Sequence, residues 1–575
     1  MDIPQPRISR PNRVLASAAG SLALLLGAGL LGVTAPAAAQ DACTVDYEIV
    51  NDWGGGFTAE VTVTKLGESV DGWDLSWDFS GDQQITNLWN GEYTQDANEV
   101  TVTDAGWNST VGSATVGFNA DYSGSNTVPE EFRLNGAVCA GDPGNDNGDN
   151  GDNGDNGDDS DRTNPYAGEL YVNPEWSDQA AASGGAAVAD QPTAVWLDRR
   201  AAIYEGSAGA NTMGLEEHLD EAVAQGVDAI QVVVYNLPGR DCAALASSGE
   251  LGPEEIDVYE EEFIDPIVDI MDQEAYSDLD IIAILEVDSL PNLVTNVGDR
   301  DTATDRCDEM LDNGNYVDGI GYALGQLGSL DNTYTYIDIA HHGWLGWDDN
   351  FLPFVDLVME AANANGASPD DVHGFATNVA NYSALDEPHF DIDGTYNGQL
   401  IRQAEYLDWN NYAGELAYAQ DYAEVFSAEF GRDMGMVIDT ARNGWGGPDR
   451  PSGPDQDAAD VDEFVDNSRI DQRLHQGNWC NQAGAGLGER PTADPAPHID
   501  AYSWIKPPGE SDGASEEIEN DEGKAFDEMC DPDYEGNVRN GNSPSGALPD
   551  APLSGHWFQD QFDELITNAH PPVAD

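Results

Sequence analysis

Between residues 43 and 139 apolar and polar residues alternate in short runs such as Ala59-Glu60-Val61-Thr62-Val63-Thr64, and Thr, Val and Gly dominate. Period-2 alternation is the signature of strands with one covered face, and it predicts an antiparallel β-sandwich over residues 40–140. In Gly72-Trp73-Asp74-Leu75-Ser76-Trp77-Asp78-Phe79 the alternation is strict, which places Trp73, Leu75, Trp77 and Phe79 on one core-facing strand side. Residues 141–162 then carry Asn-Gly-Asp every three residues, with no apolar side chain after Pro143 until the following segment. Such a stretch cannot bury a core and is expected to be a flexible, self-repelling tether. Its three-residue period lacks the alternating ligands and closing Glu of a calcium loop.

From residue 163 to 575 the pattern changes to short β-branched runs separated by helical stretches such as Gly214 to Ala224 and Tyr259 to Met271. The runs are Ala194 to Leu197, Ile230 to Tyr235, Ile281 to Val287, Tyr334 to Ile339, Val372 to Thr377, Gly435 to Ile438 and Ile499 to Ile505. Seven such units predict a seven-stranded parallel β/α barrel, whose chemistry sits at the C-terminal strand ends. Those ends carry Asp198, Asn236 with Asp241 nearby, Asp288, Asp338, Asn378, Asp439 and Lys506. At least half of them are expected to be helix caps and turn formers instead.

Charge narrows the partners. The 575 residues carry a formal net charge of −87, which excludes nucleic acid and anionic membranes as natural partners. Hydrophobic residues still make up 40% and there are 14 Trp, so the chain folds and wears its acids outside. Lysine occurs only at Lys65, Lys506 and Lys524. A carboxylate-coated, lysine-poor surface suits concentrated salt, where screening blunts self-repulsion.

Arg7, Arg10 and Arg13 precede the apolar run Val14 to Val33, which ends in small residues suited to cleavage near Ala39. Residues 1–39 therefore read as a secretory signal, no later segment is apolar enough to span a bilayer, and the mature chain is expected outside the cell, as a monomer. The six cysteines are even in number, as export to an oxidising compartment favours. Cys43 and Cys139 bracket the sandwich and are expected to pair. No CxxC or HExxH pattern supports a zinc site, and nothing calls for a metal or cofactor.

Trp53, Trp89 and Trp107 lie among turn formers, where an indole is hard to bury, and three exposed indoles on so small a domain demand a ligand. The apolar faces of sugar rings fit. Together with the bracketing cysteines, the Gly-Trp-x-Leu-x-Trp strand and Phe132 to Gly136, this pattern resembles carbohydrate-binding module family 2. The resemblance implies a coplanar Trp53/Trp89/Trp107 strip that docks on crystalline cellulose.

Five dense segments stand out in the large domain: Tyr235 to Ser247, Leu285 to Asn296, Asp338 to Trp347, Gly477 to Asn481 and Trp504 to Gly513. Together they resemble glycoside hydrolase family 6, inverting cellulases on a distorted barrel, and most closely its bacterial exocellulase branch. The resemblance implies Asp288 as general acid, Asp241 raising its pKa, Tyr235 pressing on the distorted sugar and Ser247 positioning the attacking water. Asp512 is implied as base or relay. Trp196, Trp344, Trp347 and Trp479 match sugar-stacking subsites, and His341, Asn381, Lys506 and Glu510 match contacts to glucose hydroxyls. Cys242 with Cys307, and Cys480 with Cys530, match loop-tying disulfides. Cellulose and cello-oligosaccharides are the implied ligands. Asn236 and Ala340 depart from the family's usual Asp and Gly.

A buried acid beside other carboxylates suits this chemistry, because desolvation and like charge both hold a proton on at neutral pH. Ala441 to Asn478 and Pro507 to Pro549 are long and polar, and are expected to roof a tunnel that favours cellobiose release from non-reducing ends; an open cleft would cut internally, as an endoglucanase does. Gly509 to Gly513 formally matches an esterase nucleophile elbow, but Pro507-Pro508 interrupts the approaching strand. A catalytically inactive cellulose-binding protein is the remaining alternative.

Overall fold

The computed structural model describes residues 44–52, 56–64, 70–71, most of 73–142, and 162–573 apart from 206–211, 449 and 521. The leader expected at 1–39 lies outside the described residues. The chain divides into two compact units, one within residues 1–156 and one within 157–575. Among the described residues no helix is long and apolar enough to cross a membrane.

The first unit has two five-stranded sheets. One orders Ala140–Asp142, Thr44–Asp52, Gly56–Thr64, Ser113–Asp121 and Gln84–Trp89; the other orders Ala137–Val138, Phe132–Leu134, Asp74–Asp78, Glu99–Asp104 and Gly91–Asp96. Pairing is antiparallel except at one edge, where Ala140–Asp142 runs parallel to Thr44–Asp52. Trp73, Leu75, Trp77 and Phe79 are buried as the alternation requires, and Trp77 stacks on Phe118 with ring centroids 5.9 Å apart. Cys139 is disulfide-bonded; its expected partner Cys43 lies outside the described residues.

In the second unit we number the strands of the central sheet β1 (Val195–Leu197), β2 (Ala229–Val234), β3 (Asp280–Leu285), β4 (Thr333–Asp338), β5 (Gly374–Thr377), β6 (Gly435–Asp439), β7 (Thr492–Ala496) and β8 (Ile499–Ser503). Their order is β1-β2-β3-β4-β5-β6-β8-β7. All seven predicted runs form parallel strands within two residues of the expected bounds. The addition is β7, an edge strand antiparallel to β8 with a register shift between Ala493 and Ala496. The sheet curls until the chain before β1 meets the chain after β8 in a single parallel bridge, Thr193 to Trp504.

Both faces of this sheet are covered, and the two-residue repeat decides which side chain goes where. Val232, Val234, Ile281, Ala283 and Leu285 pack outward in one cluster with the surrounding helices. Val233, Tyr235, Ile282 and Ile284 point inward and meet Tyr336, Ala376 and Val437 in the barrel interior. The helix expected over Tyr259 to Met271 is broken into α-helix, a π-helical turn at Glu260–Ile264, and α-helix Asp265–Met271. Pro266 has no N–H for the α ladder, and the widened turn just before it accommodates that loss. The long polar stretches keep little regular structure: helix Val461–Ser468 in the first, single 3-10 turns at Glu528–Cys530 and Val538–Asn540 in the second.

Candidate active site

The strand ends of the barrel open into one cavity of about 340 Å³, and every catalytic and sugar-contact residue expected in the large domain lines it. Tyr235 follows β2, with Asp241 and Ser247 on the loop beyond; Asp288 follows β3 and His341 follows β4. Trp344 and Trp347 lie just after His341, and Asn381 follows β5. Trp196 is in β1, and Trp479, Lys506, Glu510 and Asp512 arrive from loops around β8.

Several of these positions require an unusual backbone. Asp241, Glu286, Asp288, Ala340, Asn378 and Ala380 all have positive φ, between 51° and 62°. Left-handed backbone is unfavourable for residues with a Cβ, mildest for Asn and Asp, and such strain gathers at functional sites. Here it turns the chain sharply just after β3, β4 and β5 and in the loop beyond β2.

Asp288 is half-buried at the cavity wall, and desolvation, then Asp338, then Asp241 push its carboxyl well above the usual carboxylate range. Its backbone N–H donates to Asp338 Oδ1 at 2.9 Å, and its carbonyl accepts from Asn292 Nδ2 at 2.7 Å. Asp338 is pushed up to about 7, chiefly by burial, and its Oδ2 is buried without a partner among the described residues. This group of acids therefore retains a proton at neutral pH. Asp241 is also raised by burial, with Arg240 and the hydroxyls of Ser247 and Tyr235 pulling it back. The Tyr235 hydroxyl donates to Asp241 in a short hydrogen bond.

Arg240, whose role the sequence did not reveal, organises this corner. It is buried, stacks 4.0 Å from the Tyr235 ring centroid, and donates to the carbonyls of Asp198, Tyr235 and Ser247. Glu286 does related work from below. Its buried carboxyl, pushed up to about 7 by burial, accepts from the Asn236 and Leu237 amides at 3.1 and 3.2 Å and from the Tyr259 hydroxyl at 2.7 Å. Asn236, the departure from the usual Asp, sends its Nδ2 to Glu250 at 3.3 Å and points away from the proton-donating group.

Asp512 is held from the protein side. Arg442 Nη1 and the Tyr382 hydroxyl each donate to it at 2.6 Å, and the Asn481 amide donates at 2.8 Å. Both Arg442 and Tyr382 lie on distant loops and were missed from sequence. Glu510 is pushed up to about 7 by burial, opposed by Lys506, whose Nζ lies 3.8 Å away and sits 4.9 Å from the Trp196 ring centroid. Of the strand-end acids, Asp439 is structural: it accepts from the amides of Ala380, Ala441 and Lys506 and ties three loops together.

A buried guanidinium sets the polarity of two cavity groups. Arg473 Nη1 donates to Asn381 Oδ1 at 2.8 Å, and the Tyr382 amide donates to the same oxygen, which leaves the Asn381 NH₂ for the cavity. Arg473 Nη2 donates to Ser383 Oγ at 2.8 Å, so the Ser383 proton is directed to His341 Nδ1 at 3.3 Å. Burial holds His341 well below the usual imidazole range. It is therefore neutral with its proton on Nε2, a donor into the cavity.

Cys242 pairs with Cys307 and Cys480 with Cys530, as the resemblance implied. Ser511 does not form an esterase elbow: it is buried and its hydroxyl contacts the carbonyls of Pro552 and Gly513. Among the described residues no His/Cys/Asp/Glu group is arranged to hold a metal ion. In the first unit, Trp53 and Trp107 lie outside the described residues, and Trp89 ends the strand Gln84–Trp89.

An acid-rich cleft lined by indoles at the C-terminal mouth of a curled parallel sheet defines a glycoside hydrolase. The chain belongs to Glycosyl hydrolases family 6, whose profile matches residues 163–569, and residues 43–139 match the Cellulose binding domain family. It is 45% identical over 436 residues to Exoglucanase A of Cellulomonas fimi, a match covering 71% of this chain and 49% of that protein, so it spans about half of that relative. It is 34% identical over 431 residues to Probable 1,4-beta-D-glucan cellobiohydrolase C of Aspergillus niger, covering 71% of this chain and 78% of that one. The catalytic domain of Cellulomonas fimi Cel6B superposes with a TM-score of 0.67 at 44% identity, over 72% of this chain and 96% of that one. Humicola insolens Cel6A, solved with glucose and cellotetraose, superposes with a TM-score of 0.54 at 30% identity, over 71% of this chain and 100% of that one.

Proposed function

We propose that this chain is a secreted, salt-adapted cellulase that hydrolyses β-1,4-glucosidic bonds with inversion and releases mainly cellobiose from non-reducing chain ends. The observation that carries this reading is the convergence, in one cavity, of Asp288, whose proton is held by desolvation and by the neighbouring Asp338 and Asp241, with Trp196, Trp344, Trp347 and Trp479. Cleavage needs a protonated acid at the leaving oxygen, and inversion needs a water on the opposite face. Asp288 keeps its proton near neutrality and serves as that acid. Asp241 steadies the developing positive charge on the ring, Tyr235 presses on the distorted sugar, and Ser247 positions the water, with Asp512 as base or relay. The indoles take the apolar sugar faces, while His341, Asn381, Lys506 and Glu510 take hydroxyls. Trp53, Trp89 and Trp107 anchor the enzyme on crystalline cellulose.

Contacts of the second long loop with the cavity rim support exo action. The second long loop docks on the segments after β1 and β2: Asp527 Oδ2 accepts from the Leu245 amide at 2.7 Å, and Lys524 Nζ reaches Asp198 Oδ2 at 3.3 Å and the Ser554 carbonyl at 2.7 Å. The Cys480–Cys530 disulfide ties it to the segment carrying Trp479. Export is supported by the pattern of residues 1–39, and salt adaptation by the net charge of −87.

The decisive experiment is product analysis on amorphous cellulose in concentrated salt, with NMR of the anomer first released. Dominant α-cellobiose is expected. A first-formed β-anomer would remove inversion, and rapid viscosity loss of a soluble cellulose derivative would replace exo action with endo action. Asp288→Ala is expected to nearly abolish hydrolysis while cellulose binding persists; wild-type-like turnover by that variant would sink the assignment.

A further inference from the structure

We infer that Trp409 is an additional glucan-stacking platform on the rim of the cavity, beyond Trp347, that engages chains too long to fit inside. The inference rests on the cellulase reading above. Trp409 leaves 54% of its surface exposed, its indole N–H has no partner among the described residues, and it does not line the cavity itself. On a surface otherwise dominated by carboxylates an exposed indole is a solubility cost that a ligand would offset.

The segment that carries it is pinned to both cavity walls at one end. Asp408 accepts from the Trp347 indole at its carbonyl, 2.8 Å away, and the Asn411 amide donates to the Gly346 carbonyl at 3.0 Å. On the other side Gln476 Nε2 donates to the Tyr406 carbonyl at 3.0 Å, and Asn410 Nδ2, itself buried, reaches the His342 carbonyl at 2.9 Å and Gln476 Oε1 at 3.2 Å. Gly343, Trp344 and Trp347 belong to the first wall, His475 and Gly477 to the second. Trp409 is thus an exposed indole on a segment hydrogen-bonded to both walls, one residue beyond the Asp408 carbonyl that holds the Trp347 indole.

Its backbone is committed to that presentation. Asp408 and Trp409 are consecutive non-glycine residues in the left-handed region, at φ 44° and 65°. A bulky aromatic there is a genuine outlier, and the hydrogen bonds around it hold the strain in place. The Trp409 amide donates to the Arg402 carbonyl at 2.8 Å and the Asp408 amide to Ala404 at 2.9 Å, so the turn is ordered without any contribution from the indole. An uncharged face of this kind, one residue from the Asp408 carbonyl that anchors Trp347, suits the apolar faces of glucose units in a chain threading the cavity.

The test compares wild type, Trp409→Ala and Trp409→Phe on cellotriose through cellohexaose and on amorphous cellulose. Wild-type rates on cellotetraose are expected to be matched by Trp409→Ala, while its kcat/KM falls with increasing chain length, reaching about a fivefold loss on amorphous cellulose, with Trp409→Phe intermediate. In an Asp288→Ala background, cellohexaose is expected to shift tryptophan fluorescence less when Trp409 is also removed. Equal activity of Trp409→Ala and wild type on amorphous cellulose overturns the proposal, and so does an equal loss on every substrate, which marks a structural residue. If wild type cleaves none of these substrates, the cellulase reading itself falls.

Discussion

Replacing Asp338 by asparagine isolates what the second carboxyl contributes to keeping Asp288 protonated. Asp338 Oδ1 lies 2.9 Å from the Asp288 amide nitrogen. An aspartate carboxylate lies within ~4 Å of its own amide nitrogen, so the two charges are at most ~7 Å apart. At an effective dielectric of about 20, like charges at that distance repel by ~2 kcal/mol, equivalent to roughly one to two pH units. Burial is the larger cause of the raised Asp288 pKa and survives in the variant, as does the repulsion from Asp241. Asparagine also keeps a side-chain oxygen for the amides of Asp288 and Ala340, which Asp338 Oδ1 accepts at 2.9 and 3.1 Å. With the neighbouring charge gone, the Asp288 carboxylate becomes cheaper and its proton leaves at lower pH. A general acid works only while protonated, so the alkaline limb of kcat/KM on cellotetraose is expected to move toward acid by about one unit or more. Initial rates between about pH 4 and pH 9 give the profile. An unmoved or alkaline-shifted limb, or a uniform loss of rate at every pH, would refute the electrostatic role of Asp338.

Stability is expected to fall as pH rises through neutrality. Burial pushes Glu387 up to about 8 and Asp338, Glu286 and Glu510 up to about 7. These carboxyls make the native state bind more protons than the unfolded chain above about pH 4, while the buried histidines His218, His341 and His373, held low by burial, act in the opposite sense up to about pH 6.5, so the net loss of stability falls above that value. The melting temperature should decline between about pH 6.5 and pH 8, and Glu387→Gln should flatten that decline by removing one linked proton; a rising melting temperature in that window, or parallel profiles, would contradict this. Ser383→Ala cuts the link from Arg473 to His341 while the Ser383 backbone bonds to Asn378 remain. It is expected to raise KM for cellotetraose several-fold with kcat little changed and to let His341 adopt either tautomer, which ¹⁵N NMR of histidine-labelled protein reads; an unchanged tautomer would refute the polarity argument.

The seven parallel strands were legible because each is a short, mostly apolar run buried on both faces, and the polar residues inside them, such as Gln231, Thr335 and Asp500, are buried with hydrogen-bond partners. Strand β7 was not, since Thr492–Ala496 contains Pro495, sits at an edge and leaves its side chains partly exposed. That composition is what an edge tolerates and what a strand search discards. In the site, Asp241 and Asp288 could be found because their chemistry is carried by contiguous motifs beside strands. Arg442, Tyr382 and Arg473 touch Asp512, Asn381 and Ser383 across 70 to 130 residues of sequence, a pairing only the folded chain specifies. Glu286 was visible as a residue inside the Leu285 to Asn296 segment, but its partners, two backbone amides and Tyr259, were not.

The left-handed turns at Asp241, Glu286, Asp288, Ala340, Asn378 and Ala380 bear on how the enzyme is made and lost. An alanine in this conformation gives up about 1–2 kcal/mol relative to ordinary backbone. A short peptide with the sequence around Ala340 or Ala380 has no tendency to take that shape alone; the hydrogen-bonded ends of β4, β5 and β6 impose it, as when the Asn378 amide bonds to the Ala340 carbonyl. The catalytic rim is therefore assembled after the sheet that frames it and is released first when that sheet loosens. Loss of activity will precede loss of helical and strand signal on heating or in denaturant, and turnover is the finer gauge of whether the barrel is intact.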